Sequence, residues 1–136
     1  MLDQALLSYS DALILLARLL LMALFLSTGW QKLANFAGTV KYMESVGAPV
    51  PPLAAAVAVM MEFFVAIALI LGVLTRPLAL IFAVFTLGTA VLGHRFWTME
   101  GPLREENKIN FLKNMSIIGG LLLLAITGPG KFALWS

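Results

Sequence analysis

Cysteine is absent from this chain, and histidine occurs once. The first absence excludes disulfides, thiolate nucleophiles and thiolate metal ligands. The second leaves His94 with no other His and no Cys to complete a coordination sphere, so no metal or haem site is expected. Charge is scarce as well: Asp, Glu, Lys and Arg make up 12% of 136 residues, against 61% hydrophobic. Such a chain lacks the polar surface with which a small soluble domain faces water. There is no Gly-rich phosphate loop, no metalloprotease helix and no Ser-His-Asp arrangement. The basic residues are spread over two loops and mixed with Glu100, Glu105 and Glu106, so no nucleic-acid footprint forms.

What the chain has instead is long apolar runs. A membrane-spanning helix takes about 20 residues at ~1.5 Å each, and four segments qualify: residues 11–30, 53–74, 78–96 and 110–127. The last is the shortest, with the least room for tilt. In lipid every backbone must satisfy its own hydrogen bonds. The expected fold is therefore all-α, a single integral-membrane domain over residues 1–136 with four antiparallel helices in the lipid bilayer. Residues 1–11 carry Asp3 and Asp11 but no Lys or Arg, unlike a cleaved leader, so the first helix is expected to be retained. Lys32, Lys41, Arg95, Arg104, Lys108 and Lys113 fall at one set of helix ends, Arg76 and Lys131 at the other. That bias predicts cytoplasmic loops after the first and third spans and periplasmic N- and C-termini.

The connections are short. In residues 73–77, VLTRP, Pro77 suits the first turn of the third helix, and Gly72 loosens the end of the second. Between the first two spans, Phe36, Val40, Met43 and Val46 recur near helical spacing while Thr39, Lys41, Glu44 and Ser45 face away. Either a short interfacial helix, capped by Asn35 and ended at Gly47, or a compact loop over the bundle mouth fits this pattern. The second inner loop, RFWTMEGPLREENK, is polar enough to be solvated.

Within the second span the stretch VMMEFFV places a carboxylate, Glu62, among apolar residues. At 100° per residue Ala55, Ala58, Glu62 and Ala66 share one stripe, the small residues marking a packing face. Arg18, Met22, Phe25, Gly29 and Lys32 form a matching stripe on the first helix; Ala83, Ala90, His94 and Trp97 form one on the third, and Asn107, Asn110 and Asn114 on the fourth. Counting ~1.5 Å per residue in a ~30 Å core puts Arg18 and Glu62 about 5 Å apart along the membrane normal. An intramembrane ion pair or proton site of Arg18 with Glu62 is thus feasible, although Cα–Cβ bonds tilted toward each helix's own N-terminus drive antiparallel partners apart. Such a carboxylate either fixes helix register or serves a proton or substrate path.

Lys32, His94, Asn110, Asn114 and Trp97 gather toward the inner end and are candidate contacts for a ligand or head group. Against that, Trp97 also reads as an interface anchor, Lys32 as a snorkelling side chain, and the asparagines as interhelical hydrogen-bond partners.

The order of these features carries a resemblance. Arg18, GWQK at 29–32, YMESVGAPVP at 42–51, ME at 61–62, LGVLTRP at 71–77, LGTAVLGHRFW at 87–97, NFLKN at 110–114 and LLLLAITGPG at 121–130 together resemble the DoxX family over nearly the full length. That resemblance implies a small four-helix protein of the bacterial inner membrane. The family takes its name from a subunit linked to a thiosulfate:quinone oxidoreductase, and some relatives are tied to oxidative-stress complexes. Arg18, Lys32, Glu62, Arg76, His94 and Asn114 match its recurrent polar pattern, which brings no established catalytic role. The expectation is a membrane subunit of an oxidoreductase assembly with a pocket for a quinone-like ligand. His94 and Asn114 would meet the head group, Glu62 and Arg18 would handle a proton, and a soluble redox partner or a homo-oligomer would complete the assembly. The competing expectation is a structural or assembly protein whose buried polar residues only hold the bundle. A small proton-coupled transporter is disfavoured by the lack of broken spans and repeat symmetry.

Overall fold

Leucine- and alanine-rich runs with few β-branched interruptions fold as helices wherever lipid withholds backbone partners, and helices dominate the computed structural model, which describes residues 1–135. In chain order they are α1 (Leu2–Ser8), α2 (Ser10–Ala34), α3 (Phe36–Ser45), α4 (Pro51–Val59), a π-helical turn (Met60–Val65), α5 (Ala66–Leu71), α6 (Thr75–Gly93), a 3-10 turn (Phe96–Thr98) and α7 (Gly101–Thr127). Because α4, the π turn and α5 run on as one rod, four helices are long and apolar enough to cross a membrane: Ser10–Ala34, Pro51–Leu71, Thr75–Thr98 and Gly101–Thr127.

The fourth span corrects the sequence reading. It is the longest, not the shortest, with 27 residues, because the polar segment read as a solvated loop winds into its first turns. At ~1.5 Å per residue this helix measures about 40 Å and outreaches a ~30 Å hydrocarbon core. Its N-terminal turns therefore stand in the polar zone, where Arg104, Glu105 and Glu106 are exposed. Helix α1 lies ahead of the first expected span.

Between the first two spans the helical alternative holds. The Asn35 side chain accepts from the Gly38 N–H at 3.2 Å, capping α3, and the chain leaves through Gly47 at φ 75°. Thr39, expected to face away, is buried, its hydroxyl lying within bonding distance of the Lys32 and Asn35 carbonyls. Phe36, on the expected apolar face, is exposed, while Met43 of the same face is buried. Met43 and Ala48 pack with Ala55 and Ala58, fastening α3 to α4.

The main core is a layer around Met22, Phe25, Leu69, Phe82 and Leu121, with Phe25 edge-on to Phe82 at 4.6 Å between centroids. The expected stripes face this interior: Arg18, Met22, Phe25 and Gly29 on α2, and Ala55, Ala58, Glu62 and Ala66 on the second span, are all buried. At the opposite end the chain after α7 turns back and joins the link between the second and third spans. Leu134 N–H donates to Leu71 O at 2.9 Å, and Leu74 N–H to Trp135 O at 2.9 Å. Gly72, at φ 77°, permits this crossing, since a Cβ there would lie 2.7 Å from Ala133 and 2.9 Å from the Arg18 guanidinium.

Candidate functional site

The buried charges of the first two spans do not meet. Arg18 spends its guanidinium on backbone carbonyls: Nε donates to Leu69 O at 3.0 Å, Nη1 to Pro129 O at 2.9 Å and Phe132 O at 2.7 Å, and Nη2 to Ile70 O. Two of these acceptors end α5 and two belong to the returning tail. A cation at a helix C-terminus satisfies orphan carbonyls and complements the helix dipole. Arg76 serves α7 in the same way, donating to Ala125 O at 3.3 Å and Ile126 O at 2.6 Å.

Glu62 pairs instead with Lys32, Nζ to Oε1 at 2.8 Å, and the same oxygen accepts from Thr28 Oγ1 at 2.7 Å. The tilt of side chains toward their own helix N-termini decides the exchange. It carries Arg18 toward one membrane face and Glu62 toward the other, where Lys32 emerges from α2. Local backbone supports the pairing. Glu62 sits in the π turn, a wider coil that appears mostly as single turns, often at functional sites. Directly opposite is Gly29, where a Cβ would lie 2.6 Å from the Glu62 carbonyl carbon. Only glycine lets α2 approach so closely.

Glu62 Oε2 makes no hydrogen bond among the described residues. It opens on a cavity of about 180 Å³ that Lys32, Tyr42, His94 and Asn114 also line, with Phe25, Phe85 and Leu92 as apolar wall. His94 is oriented by Asn107: Nδ1 lies 2.9 Å from Asn107 Oδ1, while the amide's Nδ2 donates to Leu103 O at 2.9 Å. That second bond assigns Oδ1 as the acceptor, so Nδ1 carries the proton and a neutral imidazole offers Nε2 as an acceptor. Asn114 is 8% exposed and its side chain makes no hydrogen bond among the described residues, its amide being left open to the cavity that it lines. The Tyr42 hydroxyl is also unpartnered and abuts Gly93, where a Cβ would lie 2.7 Å away. Burial, and then the nearby Glu62 charge, hold the Tyr42 pKa above its usual value, so the phenol keeps its proton and remains a donor.

Of the inner residues singled out in the sequence, Lys32, His94 and Asn114 come together with Glu62. Asn110 does not; it accepts from Lys113 Nζ at 3.1 Å on the exposed side. Trp97 lies edge-on to Phe96 and Phe111, at 5.3 and 5.7 Å, away from the cavity. Thr28 and Tyr42 were missed. Thr28 was legible four residues before Lys32 on the same face, whereas Tyr42 reaches the site only through the fold of α3. A larger groove, about 720 Å³, lies between α1, α2 and α7 at the other end; it is lined mainly by leucines and brings no polar group but the flank of Arg18, Ser10 and Thr127.

Residues 13–95 match the DoxX family, a stretch that includes Arg18, Lys32, Glu62 and His94. The chain belongs to the DoxX family. This DoxX protein is 53% identical, over 122 residues that make up 90% of its length and 87% of the relative's, to the Escherichia coli (strain K12) protein named Inner membrane protein YphA. With Inner membrane protein YqjF of the same organism it shares 44% identity over 124 residues, 91% of this chain and 90% of the other. A shorter likeness, 48% over 40 residues or 28% of this chain, links it to 13% of the Surfeit locus protein 4 homolog of Schizosaccharomyces pombe. No solved structure matches the chain.

Proposed function

We propose that this DoxX protein is an inner-membrane subunit of an oxidoreductase assembly that holds the head group of a quinone-like ligand in the Glu62 cavity. The observation that carries the reading is the convergence of unsatisfied groups of both kinds on one small space. Asn114 and Tyr42 offer donors, while Glu62 Oε2 and His94 Nε2 offer acceptors. A quinone carbonyl accepts and a quinol hydroxyl donates, so one site serves both redox forms. At about 180 Å³ the cavity is smaller than the ~300–1,000 Å³ of sites for drug-sized ligands, which suits a head group whose tail stays in lipid. Lys32 balances the carboxylate, and Glu62 takes the proton role first assigned to it with Arg18. The names of the two E. coli relatives support the inner membrane, and the basic bias of the loops supports a cytoplasmic placement of the cavity with periplasmic termini. Electrons would pass through a soluble redox partner.

The test is direct. Protein purified from native membranes should carry quinone by mass spectrometry, and decylubiquinone should bind with an affinity that His94→Ala and Asn114→Leu each lower at least tenfold. Quinone-free protein whose titration is indifferent to both substitutions would sink the reading. A second reading, a purely structural protein, draws on the Thr28–Glu62–Lys32 bonds that stitch the first two spans together. It predicts that Glu62→Gln lowers stability and alters no binding.

A further inference from the structure

A second hollow adjoins the cavity. It is a groove of about 360 Å³ between α2 and α3, to which Gln31, Asn35, Gly38 and Thr39 contribute. Its remaining lining residues, Thr28, Lys32 and Tyr42, also line the Glu62 cavity. Gln31, Lys32, Asn35 and Thr39 bring polar groups to a lining that is otherwise mostly carbon, and Gln31 and Asn35 are exposed. The Lys32–Glu62 pair straddles the boundary: the lysine side chain is 26% exposed, the glutamate 6%. Toward the other membrane face the way is shut by the packed layer of Met22, Phe25, Phe82 and Leu121.

We propose that Glu62 exchanges protons with water on the α3 side of the membrane through this groove, with Lys32 and Tyr42 forming the partition between groove and cavity. The inference rests on reading Glu62 as a proton-exchanging carboxylate. In the step itself a hydronium ion gives its proton to Glu62 Oε2, yielding the neutral acid and water, while Lys32 keeps its own proton; release reverses this. The ionisable groups facing Glu62 across the cavity are Lys32 from α2, Tyr42 from α3, His94 after α6 and Lys113 from α7. The Tyr42 hydroxyl makes no hydrogen bond among the described residues and lies beside Gly93, so the partition is a side chain and not a wall of backbone.

The natural lack of cysteine makes the route measurable, since any introduced thiol is the sole target. Sealed vesicles holding Asn35→Cys, Thr28→Cys or the lipid-facing Leu123→Cys are treated with an impermeant methanethiosulfonate from either side. From the α3 side Asn35→Cys and Thr28→Cys should react, Thr28→Cys at least tenfold faster than Leu123→Cys, and adding Tyr42→Ala should speed Thr28→Cys a further threefold or more. Thr89→Cys, on the cavity's far wall, carries the same test if Thr28→Cys does not accumulate. Labelling only from the opposite side, or no faster than Leu123→Cys, overturns the proposal. So does a carboxylic-acid infrared band, identified by its loss in Glu62→Gln, that ignores the pH on the α3 side. Quinone titration is scored separately, so the passage and the ligand reading fail independently.

Discussion

Among the described residues two ionisable side chains, Arg18 and Glu62, lie buried, and they are buried differently. At one end Arg18 gives four of its five N–H donors to backbone carbonyls. At the other, Glu62 uses one oxygen for Thr28 and Lys32 and leaves the second facing a cavity beside the unpartnered amide of Asn114. Burial alone does not mark a site in a membrane protein. Arg18 is engaged chiefly by backbone and ties elements together; Glu62 keeps an oxygen free among side chains that are also unpartnered, which is what the ligand proposal draws on.

The contrast can be broken most forcefully at Arg18. Arg18→Leu strands four carbonyls in a dry environment and should cost about 3–5 kcal/mol, read as a fall of roughly 10 °C or more in melting temperature in detergent. Arg18→Lys should rescue little, because an ammonium cannot reproduce the guanidinium fork. Next comes Gly29→Ala. Its methyl would press on the Glu62 carbonyl, and overpacking of this kind costs about 1–3 kcal/mol. Both melting temperature and decylubiquinone affinity should fall, which separates it from Arg18 variants, whose folded fraction should bind normally. Glu62→Gln should be milder for stability, about 1 kcal/mol, since Lys32 already reaches solvent, yet should weaken ligand binding tenfold or more. A Gln variant that melts much lower and binds normally would move Glu62 to the architectural side.

The smallest effect concerns pH. Tyr42 has a folded pKa raised above its ordinary 10.0, so its contribution to stability is fully present below that value and is lost as pH rises through the folded pKa, where the unfolded phenol ionises first. Melting temperature above pH 10 should therefore fall more steeply in the parent protein than in Tyr42→Phe, and parallel curves would mean that burial, with the Glu62 charge second, does not raise the phenol's pKa.

Much of this arrangement was legible in the residues. Hydropathy located the spans, and 100° spacing put Arg18, Met22, Phe25 and Gly29 on one buried face and Ala55, Ala58, Glu62 and Ala66 on another. Side-chain spacing fixes which way a residue points more firmly than how high it sits, so the partner of Glu62 was misjudged by several turns of α2 even though the tilt that separates it from Arg18 was already apparent. The π turn is silent because MMEFFV differs in no composition from an α-helical segment. Polar turns at the start of α7 read as loop, since hydropathy does not register a helix standing in water. The acceptors of Arg18 could not be read at all: they are carbonyls, which every residue has.

Those carbonyls also set an order of events during synthesis. Pro129 and Phe132 follow Arg18 by 111 and 114 residues, so at ~5–20 residues per second the ribosome needs about 6–22 s to deliver them after the arginine has been made. Leu69 and Ile70 also follow Arg18, by 51 and 52 residues, so the clamp is assembled in two instalments: the carbonyls of α5 first, and those of the returning segment after α7 last.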